Sequence, residues 1–127
     1  MEHKPAESLR WNRSPDEHFT GSVWNTVLSE ADEEPTVIAV QFAPGARTDW
    51  HTHPGGQLLY VVSGAGLIQT RGGPRSEITP GDVVRAAPGE LHWHGARLDS
   101  PMMHLSITSG GATAWEGRVS DTEYAPG

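Results

Sequence analysis

The chain contains no cysteine, which excludes disulfides, thiolate-bound metals and cysteine nucleophiles. It is also short of positive charge: nine Lys and Arg stand against sixteen Asp and Glu, for a formal net charge of −7. No basic run interleaved with aromatics offsets this, so binding of DNA, RNA or an anionic membrane surface is not expected. Long apolar runs are missing as well. The opening stretch MEHKPAESLRWNRSPDEHF has no apolar core of a signal peptide, and no segment approaches membrane-spanning length. The expected location is therefore the cytoplasm. Helical periodicity is weak throughout; only residues 15–20 and 112–118 suit a short turn of helix, and neither would bury much.

What the chain does have is punctuation. Fifteen glycines and ten prolines break its 127 residues into short runs. TVIAVQFA (36–43), QLLYVVS (57–63), GLIQTR (66–71), SEITP (76–80), DVVRAA (82–87) and MMHLSITS (102–109) are rich in Val, Ile, Leu and Thr and read as strands. Turn signals bound them: APG, HPGG, SGAG, RGGP, TPGD and APGE. This spacing predicts an all-β sandwich or small barrel in one domain, with little room for crossover helices. Residues 19–119 form the expected body. Residues 1–18 are expected to be an arm, loose or laid on a neighbouring subunit, and 120–127 a peripheral tail.

Five of the seven histidines lie at 51, 53, 92, 94 and 104, while His3 and His18 fall in the arm and receive no role. Residues i and i+2 of a strand share a face, so His51 and His53 project together. His92 and His94, in LHWHG, repeat the arrangement at the start of a further strand. One His-x-His in a β protein is ordinarily a pair of surface histidines. Two pairs, each beside Pro-Gly turns in a chain with few other histidines, point to a metal, since imidazole suits Zn, Fe, Mn, Ni or Cu. A small barrel brings distant strands onto one cavity. In SPMMHLSITS, Met102, His104, Ser106 and Thr108 share one face and Met103, Leu105 and Ile107 the other; alternation alone allows either face to be the inner one.

Gly45, His51-Thr52-His53, Gln57 and Gly64, with their spacing, resemble the first motif of the cupins, and GDVVRAAPGELH (81–92) is similar to the second. The resemblance covers roughly residues 19–110. Ala87 departs from it where the second motif has its first proline, and Ala96 where it has its closing asparagine. It implies a cupin jelly-roll β-barrel of six or seven strands, with one divalent ion on His51, His53, Gln57 and His92. Cupins normally carry glutamate at the position of Gln57. His94 has no ligand role in the motif; it lies near the ligands or lines the cavity, with a structural role as the competing reading. PGARTDWHTHPGGQ, GGPRSEITPGDVV, PGELHWHGA and PMMHLSI together look like one subgroup of small single-domain cupins. That subgroup is described beside carboxymuconolactone decarboxylases and includes bacterial manganese-dependent hydroxynitrile lyases. In those lyases three His and one Gln hold the metal, so the resemblance favours manganese over Fe, Zn or Ni. It also implies that His104 is a general acid/base and that Thr108 stands near the substrate.

Four neutral ligands would leave a divalent ion its full charge, making it a stronger Lewis acid than a carboxylate-bound ion. That tilts the expectation from oxygen activation to lyase-like chemistry on a small molecule. A metal-dependent dioxygenase and a non-catalytic ligand-binding cupin are the alternatives, and an empty site degraded at Gln57 is the bland one. The aromatic residues, five Trp among them, are assigned to packing, with Trp50 and Trp93 pointing away from the metal by alternation. A homodimer is expected, because a barrel this small leaves an apolar sheet face to cover.

Overall fold

Short β-branched and apolar runs between glycine and proline turns give strands nearly everywhere in the computed structural model, which describes residues 1–126. After a 3-10 turn at Ala6–Ser8 come β1 (Asn12–Arg13), β2 (Phe19–Thr20), β3 (Val23–Val27), β4 (Thr36–Phe42), β5 (Arg47–Thr48) and β6 (His51–Thr52). Then follow β7 (Gln57–Gly64), β8 (Gly66–Thr70), β9 (Ser76–Ile78), β10 (Val83–Ala86), β11 (His92–Ala96), β12 (Met102–Thr108), β13 (Ala114–Trp115) and a helical turn α1 (Asp121–Tyr124). One antiparallel sheet has the order β1-β3-β4-β12-β7-β10. The other runs β13-β6-β11-β5-β2, with β8 pairing to β11 and β9 to β8. The two pack face to face as the expected jelly-roll barrel, over a core of Val23, Phe42, Val61 and Met102 from the first sheet and Ile78 and Ala96 from the second.

The six strands read from sequence all form; five are trimmed by one or two residues where turns begin, and β7 runs one residue further, to Gly64. Both expected helical turns are overturned. Phe19 pairs with Thr48 and Trp115 with His51, so residues 15–20 and 112–118 contribute β2 and β13 instead. Pairing partners far along the chain outweigh a weak local helical preference there. Residues 12–13 of the expected arm pair with Asn25 and Trp24 of the same chain, which holds that part of the segment on its own sheet.

A second apolar cluster joins Trp50, Trp93, Val119 and Tyr124 on the far side of the second sheet. Ser120 starts α1 with a reciprocal capping box to Glu123. The C-terminal segment also reaches back to the β5–β6 region. Buried Arg47 donates to the Val119 carbonyl at 2.9 Å and to Asp121 at 2.8 Å, and lies 4.5 Å over the Tyr124 ring. Arg118 donates to the buried Asp49 carboxylate at 3.2 Å. Residues 116–121 thereby brace the loop carrying Asp49, whose carbonyl matters below.

Trp93 is fully buried and donates to Gln69 Oε1 at 2.9 Å. Trp93→Ala is expected to cost about 3–5 kcal/mol in urea unfolding, and Trp93→Phe distinctly less. Losses under about 1 kcal/mol for the alanine variant would show that this cluster does not support the barrel.

Candidate metal centre

The site is assembled where β6 and β11 meet. His51 and His92 are direct cross-strand partners, so their side chains start side by side. His53 follows at the end of β6, and two turns close on its carbonyl: Gly56 N–H donates to it at 3.1 Å and Gly89 N–H at 3.0 Å. Gly56 has φ +81°, and a Cβ there would stand 2.9 Å from the Ala86 carbonyl oxygen, so only glycine lets the HPGG turn lie against β10. Pro-Gly punctuation in both motifs thus fixes the third histidine relative to the first two. The ligand nitrogens of His51, His53 and His92 lie within 4.8 Å of one another, and all three residues are buried.

Backbone carbonyls determine which nitrogens face inward. His51 Nδ1 lies 2.8 Å from the Asp49 carbonyl oxygen, and His92 Nδ1 is 2.8 Å from that of Glu90. A carbonyl only accepts, so each Nδ1 carries the proton and each Nε2 of a neutral ring is a bare lone pair. Burial keeps these rings neutral, lowering His51 to about 3 and His53 to about 4 and pushing His92 down as well. His53 Nε2 is buried with no hydrogen-bond partner among the described residues.

Gln57 is the first residue of β7, directly opposite Thr108 of β12. Its Nε2 donates to Thr108 Oγ1 at 3.2 Å and more weakly to Ser106 Oγ at 3.4 Å. Its Oε1 is 3.4 Å from His92 Nε2. Neither of those two atoms carries a hydrogen, so the approach is not a hydrogen bond but a convergence of acceptors. Buried lone pairs brought together in this way are favourable only around a cation. The donor set, three imidazoles and an amide oxygen, therefore fits a divalent metal.

β12 places His104 inward: Met102, His104 and Ser106 are buried, while Met103, Leu105 and Ile107 on the other face are half-buried. The ambiguity left by alternation is resolved because the inner face lines a cavity with polar walls. His104 Nε2 lies 3.2 Å from His94 Nδ1, and His94 Nε2 and His104 Nδ1 are buried without partners among the described residues. Burial lowers His104 to about 4 and holds His94 well below its usual value. Neither belongs to the three-nitrogen cluster.

One cavity of about 430 Å³ is lined by His51, His53, Gln57, His94, His104, Ser106 and Thr108, a volume suited to a small ligand. Its remaining walls include Ser14, Phe19, Asn25, Glu34, Phe42 and Trp115. Sequence reasoning missed these, and it assigned Trp115 to packing. Its ring instead stands 5.1 Å from that of His51, with His18 stacked on it at 4.3 Å. Only β13 pairing, which has no local signal, brings it there. Trp50 and Trp93 do point away from the cavity, into the second cluster.

A jelly-roll barrel with a histidine cluster held on paired strands defines the class of the protein, and the comparisons agree. The cupin domain family matches residues 39–108, and the chain belongs to that family. It is 45% identical over 130 residues, 98% of each chain, to the (R)-mandelonitrile lyase of Granulicella tundricola. A cupin-like protein from Thermotoga maritima shares 42% identity and superposes with a TM-score of 0.87 over 91% of both chains. A polyketide cyclase from Streptomyces resistomycificus shares the fold at TM-score 0.80 with 15% identity, over 98% of this chain and 90% of its own.

These buried histidines have a consequence for acid stability. Each is neutral when folded but takes a proton on unfolding once the pH falls below about 6.5, so the unfolded state binds more protons. There is no cost above that value; below it stability drops, by at most about 1.4 kcal/mol per pH unit per histidine, until the folded values near 3–4 are reached. The Tm of chelator-treated protein is expected to fall steadily from about pH 6.5 to pH 5, and less steeply in His104→Phe. A flat profile would contradict neutral burial.

Proposed function

We propose that the protein is a metal-dependent lyase that cleaves a small, uncharged 2-hydroxynitrile to a carbonyl compound and hydrogen cyanide. The observation that carries this reading is the placement of buried His104 in the cavity that His51, His53 and Gln57 also line, with His92 Nε2 3.4 Å from Gln57 Oε1, in a chain so similar to a mandelonitrile lyase. His51, His53, His92 and Oε1 of Gln57 would hold the ion, manganese by preference. Bound there with four neutral ligands, it would supply Lewis acidity undiminished by a ligand charge, polarising a substrate hydroxyl.

The remaining roles belong to the chain. His104, kept neutral by burial, accepts the hydroxyl proton. The oxygen electron pair then forms the carbonyl, the bond to the nitrile carbon breaks, and the leaving cyanide takes the proton from the imidazolium. His94, at hydrogen-bond distance, orients the His104 ring. Among the described residues no Lys or Arg lines the cavity, and Glu34 is the one side-chain carboxylate there. A substrate carboxylate would therefore find no cationic side chain, which supports an uncharged substrate. Phe19, Phe42 and Trp115 offer apolar surface for its substituent, and Thr108 lines the same cavity.

Reconstitution with Mn(II) followed by assay of mandelonitrile cleavage tests this. His104→Ala is expected to lose about 10²-fold or more in kcat with its manganese content unchanged. Equal rates in the two proteins would remove His104 from the mechanism. Oxygen uptake with no cyanide release, over a panel of hydroxynitriles and catechols, would favour a dioxygenase instead.

A further inference from the structure

Beyond the four proposed ligands, β12 carries two hydroxyls that seat the Gln57 amide. We propose that Ser106 and Thr108 are positioning residues that hold this amide against the histidines, accepting from its NH₂ while its oxygen is presented as the ligand. The inference rests on the reading of Gln57 as a ligand, but concerns residues that make no contact with the ion.

An amide side chain can rotate by half a turn at little steric cost, exchanging an oxygen ligand for an NH₂ group. The nitrogen lone pair of an amide is delocalised, and the group carries two hydrogens, so the flipped form would turn donors toward the ion. Two hydroxyls on β12 hold the amide: cross-strand pairing sets Thr108 directly opposite Gln57 and Ser106 two residues along on the same inward face. Both hydroxyl oxygens accept from Gln57 Nε2, at 3.2 Å and 3.4 Å, so each NH₂ hydrogen has a partner. A hydroxyl can also donate to an amide oxygen, so the pair seats either end of the amide; a cation on the histidine nitrogens would select the oxygen, and the hydroxyls then accept from the NH₂.

The hydroxyls are available for this because neither has another partner among the described residues. Each therefore keeps its own hydrogen free to point into the cavity that both residues line. Ser106 was not singled out from sequence, where it is one of several small polar residues in MMHLSITS. Its signal is the alternation it shares with His104 and Thr108.

The test is the affinity of stripped protein for Mn(II), measured by competition with a chelating indicator in a cycle with Gln57→Ala. Thr108→Val is close to isosteric and Ser106→Ala removes only the hydroxyl, so each single variant is informative even if the pair together folds poorly. In the Gln57 protein each is expected to weaken Mn(II) binding, and the pair by about 10-fold or more, while Thr108→Ser restores wild-type affinity. In the Gln57→Ala background the same substitutions are expected to change nothing. Unchanged affinity in both single variants, or an equal loss with and without Gln57, would overturn the proposal. If Gln57→Ala itself binds Mn(II) as tightly as wild type, it is the ligand reading of Gln57 that fails.

Discussion

Two backbone carbonyls, those of Asp49 and Glu90, each accept the Nδ1 proton of the histidine two residues further on, at 2.8 Å. That contact leaves His51 and His92 with bare Nε2 atoms in a buried place, and much of the structure holds the carbonyls where they are. Arg118 pins the Asp49 side chain, Trp50 N–H bonds the Gly117 carbonyl, and Arg47 ties the same loop to Val119 and Asp121. Glu90 sits in the APGE turn, its carboxylate accepting from Ala87 N–H at 2.8 Å and its backbone N–H donating to the Ala87 carbonyl at 3.0 Å. The tail and the turns thus serve the orientation of two imidazoles as much as the stability of the barrel.

Neutral burial makes the centre coherent. A carboxylate at position 57 would bring a charge into the cavity, whereas glutamine brings a neutral oxygen, with its NH₂ donating to two hydroxyls of the neighbouring strand. The same preference for uncharged groups runs through the centre, where five histidines are pushed toward their neutral forms, and no Lys or Arg among the described residues lines the cavity beside them. An ion entering such a site would be its dominant positive charge, and would keep that charge available to a bound hydroxyl.

Much of this was legible from residue order because its causes are local. Period-two alternation put His51 with His53, and Pro-Gly turns marked where strands end. The two motifs, seen together, singled out His51, His53, Gln57 and His92. The inward face of β12 was not legible, since Met102, His104, Ser106 and Thr108 alternate as regularly as the apolar set beside them. Only the β4 and β7 partners decide which set meets the cavity. Trp115 and Phe19 were beyond reach for a related reason: β13 and β2 are two residues long, and exist because β6 and β5 offer them a ladder. Ser14 and Asn25 reach the cavity through the same kind of long-range placement, 11 residues apart and hydrogen-bonded to each other.

The central claim is that these converging acceptors are a metal centre built from imidazole and amide. Pulsed electron paramagnetic resonance on the Mn(II)-loaded protein tests it most directly, because coupling to ¹⁴N counts the imidazoles bound to the ion. The account predicts one ion per chain coupled to three histidine nitrogens, falling to two in His92→Ala. A spectrum of hydrated manganese with no nitrogen coupling, or one unchanged by the loss of His92, would contradict it.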